Sequence, residues 1–88
     1  MRDLKEIEWD GHPGDPVYLR FTTSMVAKTS AYAKGEVNVD FDASGEVVGI
    51  EMLSIDPEEF GTVAQIGKEH DLRFDIFLSS AKNQRGAA

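Results

Sequence analysis

The chain contains no cysteine, so its 88 residues can build neither a disulfide framework nor a thiolate metal site. Two histidines, His12 and His70, stand far apart, and without a third nitrogen or sulfur ligand they define no zinc site. Apolar runs are short: none approaches the roughly 20 residues of a membrane span. The N-terminal MRDLKEIEW also has neither the apolar core nor the small-residue cleavage site of a secretory signal. The expected setting is therefore cytoplasmic, without a membrane. Cations are scarce as well, nine against sixteen acidic residues for a net charge of −7, and they are scattered along the chain. Direct nucleic-acid binding needs a basic patch and is not expected; this balance is first of all that of a solvated surface that keeps a small domain soluble, and it would also favour a basic protein partner. No glycine-rich loop precedes a helix to cradle phosphate, and none of the serines stands in a nucleophile elbow. The sequence thus presents no catalytic residue, no cofactor-binding residue and no metal ligand set.

What remains is the composition of one small globular domain, 41% hydrophobic and 28% charged, expected over residues 1–81 with a loose polar tail, KNQRGAA, over 82–88. Lys5 to Trp9 alternates weakly and predicts a first short strand, followed by the loop DGHPGDP. In VYLRF, Val17, Leu19 and Phe21 point one way and Tyr18 and Arg20 the other, the period of a half-buried strand. Met25 to Ala33 lacks clear periodicity, but its place between two strands predicts an edge strand. Glu36 to Phe41 and Glu46 to Leu53 alternate again. Asp56 as N-cap, Pro57 at the first position and Glu58 and Glu59 in the first turn announce a helix whose inward face would be Phe60, Val63, Ala64 and Gly67. LRFDIFL, with Leu72, Phe74, Ile76 and Leu78 on one side, suggests a last strand or arm. The expected fold is α+β: an antiparallel meander of four to five strands with one helix, in the C-terminal half, packed on one face.

The stretch DFDASGEVVGIE fits the calcium loop of an EF-hand, with Asp40, Asp42, Ser44, Gly45 and Glu51 at positions one, three, five, six and twelve. Both flanks, however, have the period of strands and not of helices, and Val48 stands where position nine wants an oxygen. A hairpin uses the same letters: Asp42 accepts backbone N–H groups in an Asx turn, Ser44 tolerates the bend, and Gly45 supplies positive φ. The hydrophobic pattern favours a four-residue loop, DASG, pairing Phe41 with Glu46, Val39 with Val48 and Val37 with Ile50. A three-residue loop would set Asp40 opposite Val48.

Trp9-Asp10, then Asp15 with Val17-Tyr18-Leu19, and finally VDFDASGEVVGIEML over residues 39–53 carry a resemblance. The chain resembles, over roughly residues 7–53, the bacterial family known as domain of unknown function 2283. That family shows an aromatic-Asp pair, an Asp before a Leu-Tyr-Ile strand, and a Val-Asp-Tyr-Asp turn with glycine leading to Val-Gly-Ile-Glu. This chain departs from it in the loop His12-Pro13-Gly14 and between Met25 and Ala33. The resemblance implies a fold but no established activity. Some members appear beside genes resembling small ribonuclease toxins, which implies an antitoxin-like role.

The polar face of the hairpin would hold Glu36, Asn38, Asp40 and Glu51, with Glu36 opposite Glu51. Paired carboxylates there could serve a small hydrolase, but on an open sheet they are more simply a solvated face. Tyr18, Arg20, Asp40 and Glu51 together are the expected interaction face. Val47, Leu53 and Phe77 would also lie on this second face, which one helix cannot cover, so a homodimer is expected. The reading is a non-enzymatic homo-oligomeric binding or scaffold protein; the alternative is an acidic antitoxin-like regulator that neutralises a basic ribonuclease.

Overall fold

The computed structural model describes residues 2–12 and 14–74. Five strands form an antiparallel sheet: β2 (Glu6–Glu8), β3 (Val17–Arg20), β4 (Lys28–Tyr32), β5 (Val37–Phe41) and β6 (Val47–Met52). Their spatial order is β2-β3-β6-β5-β4. The hairpin-linked run β4-β5-β6 is a meander, and the chain reaches its far edge from β3 through the segment Phe21–Ala27. The last strand of the run, β6, then pairs back with β3, as in a Greek key. This makes β4 an edge strand, as the place of Met25 to Ala33 between two strands predicts. A separate parallel pair joins β1 (Arg2–Asp3) to β7 (Leu72–Arg73), so the chain's first residues strap the end of the helix to the sheet. Leu4 N–H donates to the Arg73 carbonyl and Lys5 N–H to that of Arg20. The two-residue β1 is too short to carry a period, so nothing in the sequence marks it. Of the expected C-terminal arm, Ile76 to Leu78 and the 82–88 tail lie outside the described residues.

The helix α1 (Pro57–His70) begins at Asp56, but the Asp56 side chain makes no capping hydrogen bond. It ends at Asp71 in the left-handed conformation, whose N–H bonds the Gly67 carbonyl. Its buried residues are Glu59, Val63, Ile66 and Gly67. This face is rotated from the expected one: Ala64 is exposed, Phe60 is half-buried, and Ile66 is in the core. Glycine at position 67 lets the ring of Phe74 pack against the helix, where an added Cβ would come within 2.2 Å of it. Phe74 in turn meets Phe21 edge to face at 5.4 Å. Leu19, Phe21, Val37, Val39, Ile50 and Met52 complete the layer between sheet and helix.

The hairpin between β5 and β6 corrects the expected register. Asp42 N–H bonds the Glu46 carbonyl and Gly45 N–H bonds that of Asp42, so the loop is three residues, Ala43-Ser44-Gly45. Phe41 then faces Val47, but Asp40 faces Gly49, with Val48 as the extra residue of a β-bulge. The short loop shifts the pairing by one and the bulge by one more. Two single shifts restore the parity of side chains, and apolar meets apolar again as Val39 with Ile50 and Val37 with Met52. The bulge also buries both Val47 and Val48, with Val47 in the core cluster and not on the second face. Leu53 lies just beyond β6 and is exposed, and Phe77 lies outside the described residues.

Candidate functional site

Helix and core occupy one side of the sheet. The other side is carried by the alternate residues Glu6 and Glu8 of β2, Tyr18 and Arg20 of β3, Gly49 and Glu51 of β6, Asn38 and Asp40 of β5, and Thr29 and Ala31 of β4. All four residues expected at an interaction face, Tyr18, Arg20, Asp40 and Glu51, therefore share one surface. Their pairing differs from expectation. Glu51 stands opposite both Tyr18 and Asn38, and Glu36 precedes β5 and does not face it.

A polar chain runs across the strands. Glu8 Oε2 accepts from Arg20 Nε at 2.7 Å, and the Arg20 guanidinium lies 5.0 Å from the centre of the Tyr18 ring. The Tyr18 hydroxyl donates to Asp40 Oδ2 at 2.8 Å, and Thr29 donates to the other Asp40 oxygen at 2.5 Å. Beside it, Asn38 Nδ2 donates to the Gly35 carbonyl at 3.0 Å and approaches Glu51 Oε1 at 3.5 Å. Glu51 is thus tied to Asn38 and not to Tyr18 or Arg20. The centre of the arrangement is Gly49. Tyr18 must cross β6 to reach Asp40 on β5, and only glycine at position 49 leaves room for the ring. The contact of Gly49 with Tyr18 has no mark in the sequence, because it depends on the order of strands.

Electrostatics hold Tyr18 neutral and Arg20 charged. Partial burial, then the hydrogen bond to Asp40 and that residue's negative charge, raise the Tyr18 hydroxyl well above its ordinary value of 10.0. The hydrogen bond to Glu8 raises the already high pKa of Arg20. Neither group is poised to exchange a proton near neutrality. Asp40, holding two hydroxyl donors, acts as an acceptor that fixes neighbours.

The turn residues have a separate role. Asp42 Oδ1 accepts from Ser44 N–H at 2.9 Å, from the Ser44 hydroxyl at 2.6 Å and from Glu46 N–H at 3.0 Å, while Gly45 has φ of 89°. Asp42, Ser44 and Gly45 form the Asx turn that their order predicts. Strands flank this loop on both sides, and the EF-hand positions diverge: Asp42 points into the turn, whereas Asp40 and Glu51 lie on the sheet face. Among the described residues no group of three or more His, Cys, Asp or Glu side chains is placed to hold a metal ion.

With Tyr18, Asp40, Gly49 and Glu51 joined on one face, the segment that carries the resemblance has a single structural meaning. Residues 14–55 match the family model described as Protein of unknown function (DUF2283). The match spans β3 to β6 and ends before α1, so the helix and the β1-β7 pair lie outside it. No curated protein and no solved structure matches the chain. Among the described residues no helix is long and apolar enough to cross a membrane.

Proposed function

We propose that this protein is a non-enzymatic binding or scaffold module, dimeric, that presents the open face of its sheet to a basic protein partner. The observation that carries the reading is the pre-ordered charge of that face. Its strand residues hold four carboxylates, Glu6, Glu8, Asp40 and Glu51, against one guanidinium, Arg20. The chain Glu8-Arg20-Tyr18-Asp40-Thr29 fixes several of these side chains before any partner arrives, which lowers the ordering cost of association. A net-negative, polar surface steers a cationic partner and repels its like. Asp40, held by two hydroxyl donors, and Glu51, beside Asn38, serve in this proposal as recognition groups and not as an acid–base pair.

The test is affinity capture from the native cell with the wild type and with a Glu6→Gln/Glu8→Gln/Glu51→Gln variant. The wild type should retain a basic protein that elutes with salt, and the variant should lose it. Equal capture by both would remove the open face from the reading. A second reading, an antitoxin-like regulator, draws on the same charge: a basic ribonuclease is one partner this face would suit. An adjacent gene for a small basic protein, toxic alone and harmless when expressed with this chain, would support it, and co-expression without protection would count against it.

A further inference from the structure

Strand β4 has one strand neighbour among the described residues, β5, and its other edge leads to a groove. The groove, about 420 Å³, lies on the helix side of the sheet between β4 and α1. Tyr32, Gly61 and Ile66 give it apolar walls, and Glu58, Gln65 and Glu69 line it with polar groups, its only charges being negative. Along β4, Lys28, Ser30 and Tyr32 share the helix side, because each stands opposite a residue of β5, Phe41, Val39 and Val37 respectively, that packs on or into the core. Lys28 is exposed and has no ion-pair partner among the described residues.

We infer that β4 pairs antiparallel with β4 of a second copy about a twofold axis at Ser30, so that Lys28 of each copy enters the acidic groove of the other. This rests on the dimeric part of the function proposed above and gives that dimer its surface. Directly opposite residues of adjacent strands point to the same side of a sheet. A twofold axis normal to the sheet therefore keeps both helices on one side, and centring it on Ser30 uses the whole strand, KTSAY. In that register Lys28 faces Tyr32 of the second copy. Its ammonium then has an aromatic ring beside it and Glu58 and Glu69 within the groove. The two edges become interior strands of one continuous ten-stranded sheet, which satisfies the backbone groups that an edge leaves open. The fit is one of charge: a strand whose single cation lies at one end meets a groove whose only charges are acidic, twice by symmetry. The open face, net negative, repels a second copy and stays available.

The absence of cysteine makes the register testable. Opposed residues in an antiparallel pair have Cα atoms about 4.5–5.5 Å apart, within disulfide reach. Under mild oxidation Ser30→Cys should form a covalent dimer on a non-reducing gel, while Ala64→Cys, on the exposed side of α1, should not. Sedimentation should show the wild type as a dimer at tens of micromolar. Lys28→Glu should weaken the dimer roughly tenfold, two attractions being exchanged for two repulsions, and Lys28→Glu/Glu58→Lys/Glu69→Lys should recover it. A wild-type dimer that neither cross-links through position 30 nor responds to Lys28→Glu would overturn the β4 interface while leaving a dimer by another surface. A wild-type monomer would overturn both.

Discussion

The ring of Tyr18 occupies the space that the Cβ of any other residue at position 49 would need: a Cβ built on Gly49 lies 2.2 Å from the Tyr18 Cζ and hydroxyl oxygen. Position 49 is thereby tied to the hydrogen bond between Tyr18 and Asp40. Gly49→Ala should expel the ring from its place over β6 and break that bond, at a cost of about 1–3 kcal/mol, the range for overpacking. In a Tyr18→Ala background the same change should cost close to nothing. Chemical denaturation of the four proteins of the cycle measures the coupling, and simple additivity would show that the contact does not constrain the fold.

The raised pKa of Tyr18 links its protonation to stability. Folding favours the neutral phenol, so the contribution is complete below the unfolded value near 10.0 and is lost as pH rises from there toward the higher folded value. Unfolding midpoints should therefore fall more steeply above pH 10 in the wild type than in Tyr18→Phe. Titration by phenolate absorbance should show a late step from Tyr18 that Tyr18→Phe lacks. Parallel pH curves for the two proteins would contradict the burial and hydrogen bonding assigned to this hydroxyl.

Glu59 places a carboxyl on the buried side of α1, with 7% of its surface exposed and Oε2 without a hydrogen-bond partner. An unsatisfied buried oxygen costs about 1–3 kcal/mol, against about 0.3–1 kcal/mol gained from the helix N-terminus. Glu59→Met, similar in length and apolar, should raise stability by about 1 kcal/mol in denaturant. A loss of stability would mean that the carboxylate has a partner in solution.

In the hairpin, Asp42→Ala removes three hydrogen bonds to one oxygen and should cost about 1–2 kcal/mol. Gly45→Ala should cost about 1 kcal/mol through positive φ alone. Glu51→Gln should leave the thermal midpoint unchanged with millimolar calcium or with chelator. A rise of several degrees in the wild type with calcium, abolished by Glu51→Gln, would restore the metal-loop reading, because only a ligand of the folded state moves the midpoint so.

Local pattern was enough for the elements. Alternation in VYLRF, the Asp-x-Ser-Gly turn and the Asp56-Pro57 start each act within a few residues, through pleat, Asx bonding and fixed φ, so they are legible in the chain alone. The family resemblance, the α+β class and the shared side of Tyr18, Arg20, Asp40 and Glu51 come from the same source, since residues two apart on a strand must face one way. Tertiary structure decided the rest, because each remaining feature depends on partners distant in sequence. The bulge at Val48 settles the register only when β3 and the core are present to bury both valines. The inward face of α1 turned from Ala64 to Ile66 to meet the sheet it packs on. The β1-β7 strap joins residues about seventy apart with no period to announce it. Gly49 carries no signal of its role until β3 and β5 flank β6 and bring Tyr18 and Asp40 together across it.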